Sequence, residues 1–222
     1  MKASSLVEQI RSLLTSPQSD QFFTDAEIIE WIHEGANTVF PFLPEEMLRK
    51  HLAQVVVSLG GIVPLNDFAM VSIPSDLLRI KSVEVESSTK GEYIAAVAAD
   101  YNEMIGIRDR LRFYDSTTYR NFYFAVIQNQ IAIYPAVGTS VRITYIRFPQ
   151  KPSGNTECDY PEQIYPLVIN WALGRGKMKD NRVQEAQIYF NWFWSVVQAY
   201  QTKYLQVPPI VGVTPLEQER RT

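Results

Sequence analysis

The sequence predicts an α+β protein: a helical bundle built from both chain ends, an inserted antiparallel β module, and an extended C-terminal arm. Three observations carry this reading. Apolar residues recur at helical spacing up to about residue 40 and again from Glu162 onward. Between these stretches the chain turns to β-branched and aromatic runs broken by Pro, Gly, Asn and Ser. After residue 205 the prolines Pro208, Pro209 and Pro215 forbid a helix. The expected division is 1–60 with 158–205 for the helical domain, 61–157 for the β module and 206–222 for the arm.

The first helix follows Ser5, with Leu6, Ile10, Leu13 and Leu14 on one face, and stops before Pro17. The second starts on a capping box, Thr24-Asp25-Ala26-Glu27, with Phe23 placed to staple onto Ile28. Its stripe is Ile28, Trp31, Ile32 and Val39, ending before Pro41. Pro44 suits the first position of a third helix. After Gly60-Gly61, strands are expected near 70–73, 80–85, 122–127, 131–134 and 141–146, with Gln128-Asn129-Gln130 as a tight hairpin. A short helix is expected over 100–107. The return begins at Glu162 with Ile164, Leu167, Val168, Trp171 and Ala172 on one face, and a last helix spans about 182–204.

With 222 residues, the chain is long enough to bury a core without staples. Its 21 basic and 24 acidic residues give a net charge of −3, so it is no bulk polycation for nucleic acid or membrane surfaces. The single cysteine, Cys158, excludes an internal disulfide and a thiolate metal cluster and fits a reducing compartment. The N-terminus shows no signal-peptide core, because Glu8 and Arg11 interrupt its apolar residues. The uncharged stretches 52–66 and 121–141 are broken by polar residues, glycine and proline, so no membrane span is expected.

Motifs for chemistry are fragmentary, and no catalytic residue, metal ligand or cofactor site is predicted. His33-Glu34-Gly35-Ala36-Asn37 starts like a zinc-protease helix but has Asn37 where the second histidine belongs, which leaves an interfacial histidine. Gly174-Arg175-Gly176-Lys177-Met178 lacks the spacer and hydroxyl of a phosphate loop and reads as a helix end, with Gly176 the terminator. Ser87-Ser88-Thr89-Lys90 has a serine–lysine spacing but sits beside Gly91 and reads as a turn. Cys158 is flanked by Glu157 and Asp159, whose charges oppose thiolate formation.

Three surfaces point to interaction instead. Arg108, Arg110 and Arg112 would project together from an extended segment, with Phe113, Tyr114 and Tyr119 nearby, a pattern fit for DNA phosphates or for a solvated or subunit-contact face. On the last helix the bulky residues, Trp192 and Trp194 among them, spread over roughly 200°, about twice what one covered side needs. Such a helix is either sandwiched within its own domain or meets another subunit on one flank. The arm carries Val207, Pro208, Pro209, Ile210, Val211, Val213 and Leu216, too apolar for a purely solvated terminus, so it is expected to dock on a partner.

Four segments occur in an order that resembles a known family. These are Phe23-Thr24-Asp25-Ala26-Glu27-Ile28-Ile29 with Gly35-Ala36-Asn37; Ile73-Pro74-Ser75-Asp76-Leu77-Leu78-Arg79-Ile80; Ile131-Ala132-Ile133-Tyr134-Pro135 with Val141-Arg142-Ile143-Thr144-Tyr145; and Asp159-Tyr160-Pro161-Glu162. Together they resemble the head-to-tail adaptor, or connector, proteins of tailed bacteriophages, of the podophage type, over residues 4–200. The resemblance implies a non-enzymatic virion protein, made in the host cytoplasm and placed at the head–tail interface. It implies a ring, dodecameric as a rule, that binds the portal protein and the tail or nozzle proteins and lines the channel through which double-stranded DNA passes without sequence specificity. A near-neutral chain suits such a channel, because dense phosphate contacts would hold the DNA in place. The competing reading is a nucleic-acid-binding module that uses the arginine and aromatic patch.

Overall fold

A computed structural model of the protein describes residues 1–14, 22–59, 67–86, 91–111, 121–154 and 156–204. The chain is mixed α+β and, over the described residues, divides into two compact units, one of residues 1–51 with 148–204, the other of residues 52–147. Among the described residues the first unit holds four of five α-helices: α1 (Ala3–Leu14), α2 (Asp25–Val39), α4 (Tyr165–Lys179) and α5 (Val183–Tyr204). The second holds α3 (Tyr101–Leu111) and seven strands: β1 (Leu52–Ser58), β2 (Ala69–Ser72), β3 (Leu77–Glu86), β4 (Tyr93–Ala98), β5 (Phe122–Ile127), β6 (Gln130–Tyr134) and β7 (Ser140–Arg147).

In the helical unit α2 begins where the capping box places it. Thr24 Oγ1 accepts from the Glu27 amide at 3.2 Å, and Glu27 Oε2 accepts from the Thr24 amide at 3.1 Å. Phe23 is buried and stands edge-on to Trp31 with ring centres 6.2 Å apart. Ile28, Ile32 and Val39 are fully buried, as the stripe predicts. α1 begins two residues earlier than its expected cap because Lys2 bridges to Glu157 and the Ala3 amide donates to Thr156 O at 3.1 Å. Leu13 is exposed, and the buried face uses Val7 and the stem of Arg11, whose guanidinium meets Asp25 at 2.6 Å. No third helix starts at Pro44. The stretch from Phe40 to His51 folds as turns with two short 3₁₀ pieces, since about ten residues with prolines at both 41 and 44 cannot offset the cost of helix nucleation.

Gly176 does not end a helix. α4 continues to Lys179, and Asn181, with φ of 57°, is the left-handed residue beyond it. The glycines instead allow backbones to approach: a Cβ on Gly35 would lie 2.9 Å from Trp171 Cβ, one on Gly174 2.7 Å from Phe190, and one on Gly176 2.8 Å from Leu14. Around this close packing, Lys179 pairs with Glu27 at 2.7 Å and Arg175 with Glu34 at 3.1 Å, tying α4 to α2.

The strands form one sheet in the order β1-β7-β3-β4-β5-β6-β2. The five expected strands are present, and the β5–β6 hairpin turns on Gln128-Asn129, with Gln128 at φ 54°. Two strands were not expected. β1 precedes Gly60-Gly61, so the extended structure begins at Leu52; β4 is the alanine-rich Tyr93–Ala98. The sheet is not wholly antiparallel, because β4 and β5 run parallel, as a connection carrying a helix permits. That helix, α3, is capped by Asp100, whose Oδ1 accepts from the Glu103 amide at 2.8 Å. Alternate residues of β6 serve two cores: Ile131 and Ile133 pack with Val71, Val83, Val85 and Ile143, while Ala132 and Tyr134 pack with Phe68 and Met104.

Candidate interaction surface

The buried face of α5 is narrow. Ala186, Phe193 and Val197 are fully buried, and Phe190 meets Trp171 of α4 edge-on at 5.2 Å while Phe193 packs tilted against it at 4.8 Å. Trp192 and Trp194 lie on opposite flanks of that face and are 42% and 41% exposed. Trp194 leans on Trp171 at 6.4 Å, so its ring borders the core. Trp192 belongs to a second stripe with Ile188, which is 67% exposed, Val196 and Ala199 at successive turns. Among the described residues, therefore, one side of the over-wide apolar arc is covered and the other faces outward. Sequence reading missed Ile188, although its position one turn before Trp192 extends the same arc.

The arginine patch has a different geometry from the extended one. The segment is helical to Leu111, and two residues apart on a helix are about 200° apart rather than on one side. Arg108 pairs with Asp109 at 2.8 Å and lies 5.7 Å from the Phe68 ring centre. Arg110 donates to Gly106 O at 3.2 Å at the helix end. Arg112, Phe113, Tyr114 and Tyr119 lie outside the described residues, as do Ser87 to Lys90 and the arm residues Val207, Pro208, Pro209, Ile210, Val211, Val213 and Leu216.

The zinc-like motif gives a side-chain pair. His33 Nε2 and Asn37 Nδ2 are 3.1 Å apart, so the residue that breaks the motif occupies the imidazole instead. They line an open groove of about 480 Å³ with Glu30, Glu34, Thr38 and Phe148. Burial lowers the His33 pKa below the usual histidine value. Cys158 is buried, and burial rather than its acidic neighbours pushes its thiol pKa up, while the N-terminal charge works the other way. Its amide donates to Met1 O at 2.9 Å, which explains its place in the fold without reactivity. Burial also pushes the Tyr165 hydroxyl up to about 12. Nearby, the buried His51 stands 3.7 Å from Asp159 and edge-on to Phe40 at 4.9 Å. No group of His, Cys, Asp and Glu among the described residues could hold a metal ion, and no described helix is long and apolar enough to cross a membrane.

The chain is thus a two-unit α+β protein whose last helix carries large apolar side chains on its outward side. Family comparison agrees with that class: the SU10 adaptor protein family matches residues 1–206. The chain belongs to this family and is a structural adaptor protein of phage virions. A comparison with curated proteins finds no match.

Proposed function

We propose that this chain forms the head-to-tail adaptor ring that joins the portal to the tail and surrounds the DNA channel at the head–tail interface. Membership of the adaptor family across residues 1–206 carries the reading. The podophage-type order of segments extends it to a ring, of about twelve copies by that resemblance, through which the genome leaves the particle. A ring needs two different complementary patches per chain. The outward stripe of α5 supplies one, since Ile188 and Trp192 are large apolar side chains set in a helix whose core side is already satisfied. The arm, with Val207, Pro208, Pro209, Ile210, Val211, Val213 and Leu216, supplies the other, against the portal or a neighbouring copy.

The test is assembly of the full chain on the portal of the same phage. Replacing Ile188 and Trp192 together with aspartate is expected to leave the monomer folded and to abolish rings. A double variant that assembles like the parent protein removes α5 from the interface.

A further inference from the structure

The two edges of the sheet differ. β2 is only four residues long and lies between Asp67 and Pro74, the short, charged and proline-flanked kind of edge that resists adding strands. β1 is seven residues, Leu52-Ala53-Gln54-Val55-Val56-Val57-Ser58, with no charge, no proline and no glycine. It is paired on one side along its whole length, from Leu52 with Ile146 to Ser58 with Ser140. On the other side the described residues place no strand beside it. Leu52 and Val56 are 55% and 53% exposed, while Ala53, Val55 and Val57 turn into the core. An edge this long, uncharged and β-branched is a template for another strand, and native proteins leave such edges only where something covers them.

The chain itself contains a matching segment. Beyond α5, Ile210-Val211-Gly212-Val213-Thr214 is an uncharged, largely β-branched run of five residues that all carry amide protons, bounded by Pro209 and Pro215, which cannot donate. The prolines confine pairing to these five residues, a length that β1 accommodates. An acceptor edge and a donor strand in one chain form a heterologous pair, the kind that propagates around a ring rather than stopping at a dimer.

We infer that in the assembled state residues 210–214 of one copy add as a strand to the β1 edge of the neighbouring copy. This rests on the ring reading given above and names the arm's contact between subunits, in addition to that of the α5 stripe. Main-chain hydrogen bonds supply the affinity, and Leu52 and Val56 are covered by the arm's apolar side chains.

The experiment uses full-length protein in a Cys158→Ser background, mixed from chains carrying Val56→Cys and chains carrying either Val211→Cys or Gly212→Cys. The two arm positions cover both faces, because a shift of one residue reverses the side chains. Rings assembled on the phage portal and then oxidised are expected to give a cross-link between different chains with one of the two arm positions. Rings that form without either cross-link, or a doubly substituted chain that cross-links to itself, overturn the strand-addition inference and leave the adaptor reading standing. If the parent protein makes no rings on portal, the adaptor reading fails and this contact fails with it. A second variant, Val56→Lys, places a charge on the edge and should reduce ring formation about tenfold with an unchanged circular dichroism spectrum. Assembly at the parent level contradicts the inference.

Discussion

Gly35→Ala isolates a close crossing of α2 and α4. The new Cβ would stand 2.9 Å from both Cβ and Cγ of Trp171, against 3.4–4 Å for ordinary contact, so about half an ångström must be found. A side-chain rotation cannot supply it, because Trp171 Cβ is fixed to the α4 backbone; α2 and α4 must move apart. A gap of that size over a packed interface forfeits a quarter or more of each contact's attraction, and overpacking of this kind costs about 1–3 kcal/mol. Alanine recovers about 1 kcal/mol of helix propensity, which leaves a net loss of about 0–2 kcal/mol. Gly106→Ala in α3 is the matched control, since no atom lies within 4 Å of its new Cβ and only the propensity gain of about 0.5–1 kcal/mol remains. Scanning calorimetry of both variants should show a lowered transition for Gly35→Ala and a raised one for Gly106→Ala. If Gly35→Ala melts at or above the parent temperature, glycine is not what lets these helices meet, and the packing argument fails.

Thr24→Ala removes the side chain that caps α2 and should cost about 0.5–2 kcal/mol by denaturant titration, with Thr24→Ser close to the parent; equal stability of all three would mean that the cap contributes nothing. His33 has a folded-state pKa below its ordinary value, so as the pH falls below about 6.5 the unfolded chain takes up the proton first and stability drops until the lower folded value is passed. His33→Gln should flatten that window, and a pH–stability curve that keeps its slope there shows the slope to come from other groups. Glu27 behaves in the usual carboxylate sense. The Lys179 hydrogen bond, with the cap, holds its pKa below the ordinary 4.5, so its stabilising effect is present above that value and is lost as acid protonates it. Glu27→Gln should therefore narrow the stability difference between neutral and acid pH, and an unchanged difference refutes this assignment. Truncation after Tyr204 is expected to leave the monomer's melting temperature nearly unchanged and to reduce attachment to portal; a large fall in melting temperature would mean that the arm packs on its own domain.

The parts legible in the sequence are those where one local signal decides the structure. Thr24 to Glu27 is such a case, because the cap needs only residues three apart in the chain and forms as predicted. The β5–β6 hairpin is another, with two β-branched runs and a polar turn between them. β1 was hidden because an edge strand with apolar residues on both faces shows no alternation, and β4 because Ala95, Ala96 and Ala98 carry little strand preference. Gly176 looks the same in sequence whether it ends a helix or admits Leu14 against its backbone; only the tertiary neighbour distinguishes them. The same holds for Arg108 and Arg110, whose joint projection depended on an extended chain and disappears when α3 runs on to Leu111. Of the interaction surface, the excess width of the α5 arc was readable. Which flank is buried was not, since that is fixed by where Trp171 of α4 lies.

The adaptor reading is tested most directly by native mass spectrometry of the full-length protein with and without the portal protein of its own phage. The account predicts a discrete complex in which several copies of this chain sit on one portal ring, with the copy number constant as free protein is added in excess. A spectrum that contains only free adaptor chains beside intact portal, at every ratio, contradicts it.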